Sequence, residues 1–239
     1  MKPLIRTIGR AGLLLSLSLG LGTTIISTAL ADGMARFQTA DRSMPALTFS
    51  WQTPERSRLD TPNETAHVIA VEGKAWGVAR VAGHPVAMDL DQLAALLGQP
   101  TALARLGPDA VVPSQITALE PTGQTETIAG VTGERYRVSW IDSEGRARID
   151  EAVLTDDPLV VEMQDALLGG MTRAIARGTG TRGHEAAQRE LERRGLAVLR
   201  FGEDFRLESI SGDSQPDERF AMPSKPIDLQ QLMRGVMGN

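Results

Sequence analysis

The side chains that could carry out chemistry are few. The chain has three histidines and no cysteine. His67, His84 and His184 are too far apart in sequence for any two to share a helical turn or one strand. A zinc site needs convergent nitrogen, sulfur or carboxylate ligands. These histidines therefore read as strand-end residues and, for His184, the start of a helix. Serine catalysis needs an elbow of the G-x-S-x-G kind or an equivalent. None occurs, and Ser211-Gly212-Asp213-Ser214 reads as a turn. Asp156-Asp157 could be a carboxylate pair for acid–base work, but Asp before Pro158 is better explained as a helix cap followed by the first helical residue. Gly178-x-Gly180-x-x-Gly183 spells a dinucleotide fingerprint. It falls between two predicted helices instead of after a strand, so it reads as a linker. No catalytic constellation remains, and neither enzyme activity nor a metal or cofactor is expected.

The stronger pattern is collective. Trp51, Trp76, Tyr136 and Trp140 fall on predicted strands; Met163, Leu167, Met171, Met233 and Met237 fall on predicted helices. Facing one another across an interior, they would form either a packed core or the wall of a cavity. Methionine is adaptable and suits variable apolar ligands. Burial alone is the commoner reason for such residues, and the cavity is the less expected of the two readings.

The elements that must position them are mostly strands. In 127–163, Tyr136, Val138 and Trp140 alternate with Arg135, Arg137 and Ser139, the period of a strand with one apolar face. Asp142 to Gly145 forms the turn, and Arg146 to Thr155 returns. Val153-Leu154 breaks the alternation there, which predicts a bulge or a strand buried on both faces. Further strands are predicted at 34–39, 46–52, 57–60, 67–72, 74–81, 84–88, 116–121, 126–128, 196–201, 205–211 and 218–222. Glu72-Gly73 reads as a hairpin turn. Asp89 and Gln92 form a capping box for a helix over 90–97. A longer helix starts at Pro158 and runs to about 175, with Gly169-Gly170 as a kink or hinge. A polar helix spans 184–194, and Asp228 caps a last helix striped by Leu229, Leu232, Met233 and Val236. The expected class is α+β: a strongly curved antiparallel sheet with helices packed against its concave face.

Residues 1–31 read as a secretion signal: Lys2, Arg6 and Arg10, an apolar run over 11–27, then Ala29-Leu30-Ala31 as the cleavage site. Residues 32–239 then form a single domain. With no cysteine at the cleavage point there is no lipid attachment, and the expected location is the periplasm. The leader holds three basic residues and no acid, so the remainder is more acidic than the net −5 of the whole chain. That balance argues against nucleic acid as a partner.

Four segments in order resemble a bacterial periplasmic domain family of unknown function, related to the outer-membrane lipoprotein carriers (LolA/LolB-like). They are TFSWQTPERSRLD, HVIAVEGKAWGVARVAGHPVAMDLDQLAAL, IAGVTGERYRVSWIDSEGRARIDEAVLTDDP and FGEDFRLESISGDSQPDERFAMPS. In the third, Ile128, Gly130, Tyr136 and Val138 occupy the patterned positions. The resemblance implies a half-open β-barrel around an apolar cavity, with helices as a lid. The function expected from it is binding or carrying a hydrophobic ligand, an acyl chain or a lipoprotein's lipid. The alternative is an envelope protein–protein interaction module with a filled core, its candidate surface the charged helix at 184–194.

Overall fold

A computed structural model describes residues 32–39, 46–62, 66–81, 83–92, 113–142, 144–172, 185–223 and 226. The signal segment, His184, the glycine linker at 178–183 and the last helix with Met233 lie outside the described residues, as does most of the helix expected over 90–97. Its start is present: Leu90 to Gln92 are helical. Asp89 Oδ1 accepts from the Asp91 and Gln92 amides at 2.9 and 3.4 Å, one half of the expected box; the Gln92 side-chain oxygen has no hydrogen-bond partner among the described residues.

Eleven strands form one antiparallel sheet. They are β1 (Gly33–Thr39), β2 (Leu47–Thr53), β3 (Arg56–Asp60), β4 (Ala66–Val71), β5 (Lys74–Val81), β6 (His84–Asp89), β7 (Gln115–Ile128), β8 (Val131–Ile141), β9 (Ala147–Thr155), β10 (Ala197–Phe201) and β11 (Phe205–Ser211). Their spatial order is β6-β5-β4-β3-β2-β1-β11-β10-β9-β8-β7. Every strand pairs with its sequence neighbour except β6 and β7, which stand at opposite edges; β1 and β11 join the two halves. A closed barrel would pair β6 with β7. The sheet is open at that seam, and this corrects the expected α+β half-barrel. Pro85 lies in one edge strand and Pro121 in the other, where the missing amide interrupts pairing with a further strand.

The helices also depart from expectation. Among the described residues they are few, and they do not gather on one concave face. Helix α1 (Pro158–Gln164) continues as a π-helical segment, Asp165–Thr172; α2 (Glu185–Arg194) follows. Val160, Met163, Ala166 and Met171 bury against one face of the sheet, with Trp51, Phe49, Val153 and Leu199. Leu191 of α2 buries against the other face, with Val138, Trp140, Ala152 and Leu154. Strand β9 separates the two clusters. Ala152, Val153, Leu154 and Thr155 are all buried, so the lost alternation marks a strand covered on both sides. The associated bulge sits on its partner β10, between Val198 and Arg200.

Asp157 caps α1 as expected, its Oδ1 accepting from the Leu159 and Val160 amides at 3.0 and 3.3 Å. Gly169-Gly170 lies within the π-helical segment. A Cβ on Gly170 would lie 1.6 Å from the Pro54 carbonyl oxygen. The glycine lets the π segment touch the β2–β3 turn, a contact of backbone on backbone.

Strand β7 merges the two strands predicted at 116–121 and 126–128. Its register slips against β8 between Pro121 and Thr125, so one bulged strand accounts for both. The strand expected at 218–222 is instead a 3₁₀ turn, Asp217–Phe220. Strand β11 is already paired on both sides, by β1 and β10, and leaves no edge for it. The turn is strapped across β2 and β3 by polar contacts. Arg219 donates to Ser50 Oγ at 2.8 Å and to Asp60 Oδ2 at 2.7 Å, and Gln52 Nε2 donates to the Gln215 carbonyl at 2.9 Å.

Candidate functional site

The seam between β10 and β11 is short. Only Arg200↔Arg206 and Phe201↔Phe205 pair across it. Beyond them the strands diverge, leaving the start of β10 without a neighbour on that side. Gln164 at the end of α1 takes the place of a strand there. Its Oε1 accepts from the Val198 amide at 2.9 Å, and its Nε2 donates to the Leu196 carbonyl at 3.3 Å. Gln164 is buried, so these two bonds satisfy backbone groups that would otherwise be costly to bury.

Next to this seam is a cavity of about 350 Å³. The floor is the sheet face of β7 to β10, from Leu119, Val138, Leu154, Val198 and Phe201. Ala187 and Leu191 of α2 form one wall, and Met163, Leu167 and Leu168 form another. The strand period places the floor residues on one face, and α2 turns its apolar stripe toward them. Three polar residues also line the cavity: Gln164, Gln188 and Asp204.

The sequence candidates separate into distinct places. Met163 and Leu167 line this cavity. Trp140 lies beside its floor, edge-on to Phe201 at 5.8 Å, with its indole Nε1 donating to Asp150 Oδ2 at 2.8 Å. Tyr136 packs at the margin of the same cluster, and its hydroxyl donates to Glu134 Oε2 at 3.1 Å. Burial and this carboxylate push the Tyr136 phenol up from its ordinary value. Trp51 and Met171 are sealed in the opposite cluster, Trp51 stacked on Phe49 at 5.8 Å. Trp76 lies elsewhere, in a groove of about 770 Å³ rimmed by Glu55, Arg56, Glu72 and Lys74, with the Lys74 ammonium 5.8 Å from its ring. The structure therefore does not bring the seven described candidates together as one cavity wall. Two line it, two stand beside it, and three belong to other places; Met233 is outside the described residues.

Several positions in and around this region escape sequence reasoning. Asp204 sits in the β10–β11 turn and reaches the cavity from there. Asp142, with no exposed side-chain surface, ties the β8–β9 turn at the same end of the sheet. Its carboxylate accepts from the Glu144 and Arg146 amides and from the Arg146 and Arg148 guanidinium groups, all at 2.9 to 3.0 Å. Burial alone would raise this carboxyl; the four donated bonds hold it well below the usual carboxylate range. An Asp-x-x-Gly turn was legible in sequence, but the convergence of Arg146 and Arg148 was not.

His67 is half-buried in β4. Burial, with the Arg58 and Arg219 charges, lowers its pKa to about 4 against the opposing pull of Asp60. It belongs to the strap network, and among the described residues no second histidine joins it. Among the described residues no group of three or more His, Asp or Glu side chains could hold a metal ion. Among the same residues no helix is long and apolar enough to cross a membrane.

What geometry defines is an open antiparallel sheet carrying an apolar cavity beneath a short helix. Comparisons with protein-family models, with curated proteins and with solved structures return no match.

Proposed function

We propose that this protein binds a hydrophobic ligand in the cavity between α2 and the sheet face of β7 to β10, and does so in the periplasm. The observation that carries this reading is the cavity itself. Its volume, about 350 Å³, lies within the range of about 300 Å³ and more that small-molecule sites occupy, and its wall is nearly all apolar. A packed interior leaves few voids larger than a water molecule. The filled-core alternative describes the Trp51 cluster well and this region poorly.

The resemblance of four segments to the lipoprotein carriers supports the ligand class, an acyl chain or similar apolar group. It supports nothing about architecture, since the half-barrel it implied is not this fold. Placement in the periplasm rests on the basic start, the apolar run and Ala29-Leu30-Ala31.

The test is native mass spectrometry of protein purified from a periplasmic extract without detergent. A discrete added mass, displaced by a neutral fluorescent apolar probe and lost in Ala187→Phe, is the expected result. Ala187 is part of the wall, so the larger ring occupies the space the ligand needs. A clean apo mass with no uptake of the probe would sink the reading. N-terminal sequencing of the same sample tests export, with Asp32 as the expected first residue.

A further inference from the structure

The cavity has one charged lining side chain among the described residues, and it is negative. Asp204 reaches it from the turn between β10 and β11. Its backbone amide donates to the Phe201 carbonyl at 3.0 Å, which anchors the turn. Its carboxylate accepts no hydrogen bond from the described residues and is half-buried. The two lining glutamines are engaged otherwise: Gln164 holds the β10 backbone, and Gln188 Nε2 donates to Glu192 Oε1 at 2.6 Å.

The surroundings of Asp204 compensate this charge only in part. Asp150 stands near it, and Asp150 already accepts from the Trp140 indole. Arg148 is the nearby cation, and its Nε is 3.0 Å from Asp142 Oδ2. Burial, reinforced by Asp150 and opposed by Arg148, raises the Asp204 carboxyl above its ordinary value. A carboxylate matched only in part at the end of an apolar space attracts a cationic head and repels an anionic one.

Resting on the hydrophobic-ligand reading, we propose that the cavity selects amphiphiles with a cationic, alkylammonium-type head seated on the Asp204 carboxylate, and discriminates against free fatty acids. The apolar tail lies against Leu119, Val138, Leu154 and Val198. The head replaces water at Asp204 with a charge-assisted N–H···O bond.

Calorimetric titration of the purified protein with dodecylammonium, dodecanoate and dodecanol, each below its micellar concentration, tests this. The expected result is dodecylammonium binding on the order of tenfold or more tighter than dodecanoate. In Asp204→Asn that advantage disappears while dodecanol binding is unchanged. Glu120→Gln, on the exposed edge strand β7, controls for net charge and should leave the advantage intact. Equal binding of the two ions, or equal losses in Asp204→Asn and Glu120→Gln, would overturn head-group selection while leaving the hydrophobic-ligand reading standing. If none of the three compounds binds, dodecanol included, the hydrophobic-ligand reading fails and the selectivity fails with it.

Discussion

Trp51 and Trp140 make a direct comparison. Both are strand tryptophans, both are essentially inaccessible, and each anchors a cluster on its own face of the same sheet. Around Trp51 the space is filled. Phe49 stacks on it, Met163, Ala166 and Met171 cover it from α1 and the π segment, and a Cβ on Gly33 would lie 2.3 Å from its ring. Its indole Nε1 is buried with no hydrogen-bond partner among the described residues. Around Trp140 the packing is incomplete. Its indole has a carboxylate partner, and the strands that flank it look onto open apolar space beneath α2. The difference lies in the covering element. The α1–π unit touches the sheet backbone to backbone at Gly170, whereas α2 meets it through Ala187 and Leu191 and stands off.

The largest expected effect breaks the filled side. Gly170→Ala puts a methyl group onto the Pro54 carbonyl, with backbone on both sides of the clash, and should destabilise by about 3 kcal/mol or more in urea unfolding. Trp51→Ala should cost a similar amount, about 3–5 kcal/mol, by opening a void that its neighbours cannot fill.

Gln164→Leu tests the joint between the two regions. It leaves the Val198 amide and the Leu196 carbonyl buried without a partner, at a cost of about 2 kcal/mol or more. Hydrogen exchange should quicken at Val198 before the rest of β10.

A matched pair of insertions sharpens the contrast itself. Ala166→Leu, in the Trp51 cluster, should lose about 1–3 kcal/mol, as overpacking does. Ala187→Leu, which points into the cavity wall, should change stability by less than about 1 kcal/mol, since space for the added carbons already exists. Equal costs would mean that the two clusters are packed alike.

The strap over β2 and β3 gives a pH signature that neither cluster shares. The His67 pKa is lowered to about 4 by burial and the neighbouring arginines. The unfolded chain therefore takes up this proton first as pH falls. Stability linked to His67 is complete above its ordinary value of about 6.5 and is lost progressively from there down toward pH 4. Thermal melts of His67→Gln should show a smaller drop between pH 7 and pH 5 than the parent. An identical drop in both would remove His67 from the account.

The smallest effect lies outside both regions. Glu72 is exposed and holds φ 52°, followed by Gly73 at φ 74°. This is a hairpin turn that favours asparagine at the first position. Glu72→Asn should gain about 0.5–1 kcal/mol, visible as a raised Tm.

Much of the local structure was legible from residue types. The alternation of Tyr136, Val138 and Trp140, the Glu72-Gly73 turn, the Asp157-Pro158 helix start and the two-faced burial near Val153 each depend on neighbours a few residues apart. The site was less legible. Met163 and Leu167 were recognised, but Asp204, Gln164 and Leu191 were not, because nothing local distinguishes them from surface polar residues or an ordinary helix stripe. Their roles come from contacts with strands 30 or more residues away in Gln164's case, where Val198 is the partner.

Backbone preference and hydrophobic period, acting over a few residues, determined that this chain makes many short strands with few helices between them. The tertiary structure alone decided that β6 and β7 remain apart, that β10 and β11 diverge after two pairs, and that a gap opens under α2. Those outcomes depend on which edges find partners and how closely two covering elements approach the sheet. Both are set by volumes and backbone contacts between residues distant in sequence, such as Gly170 against Pro54, on which sequence period is silent.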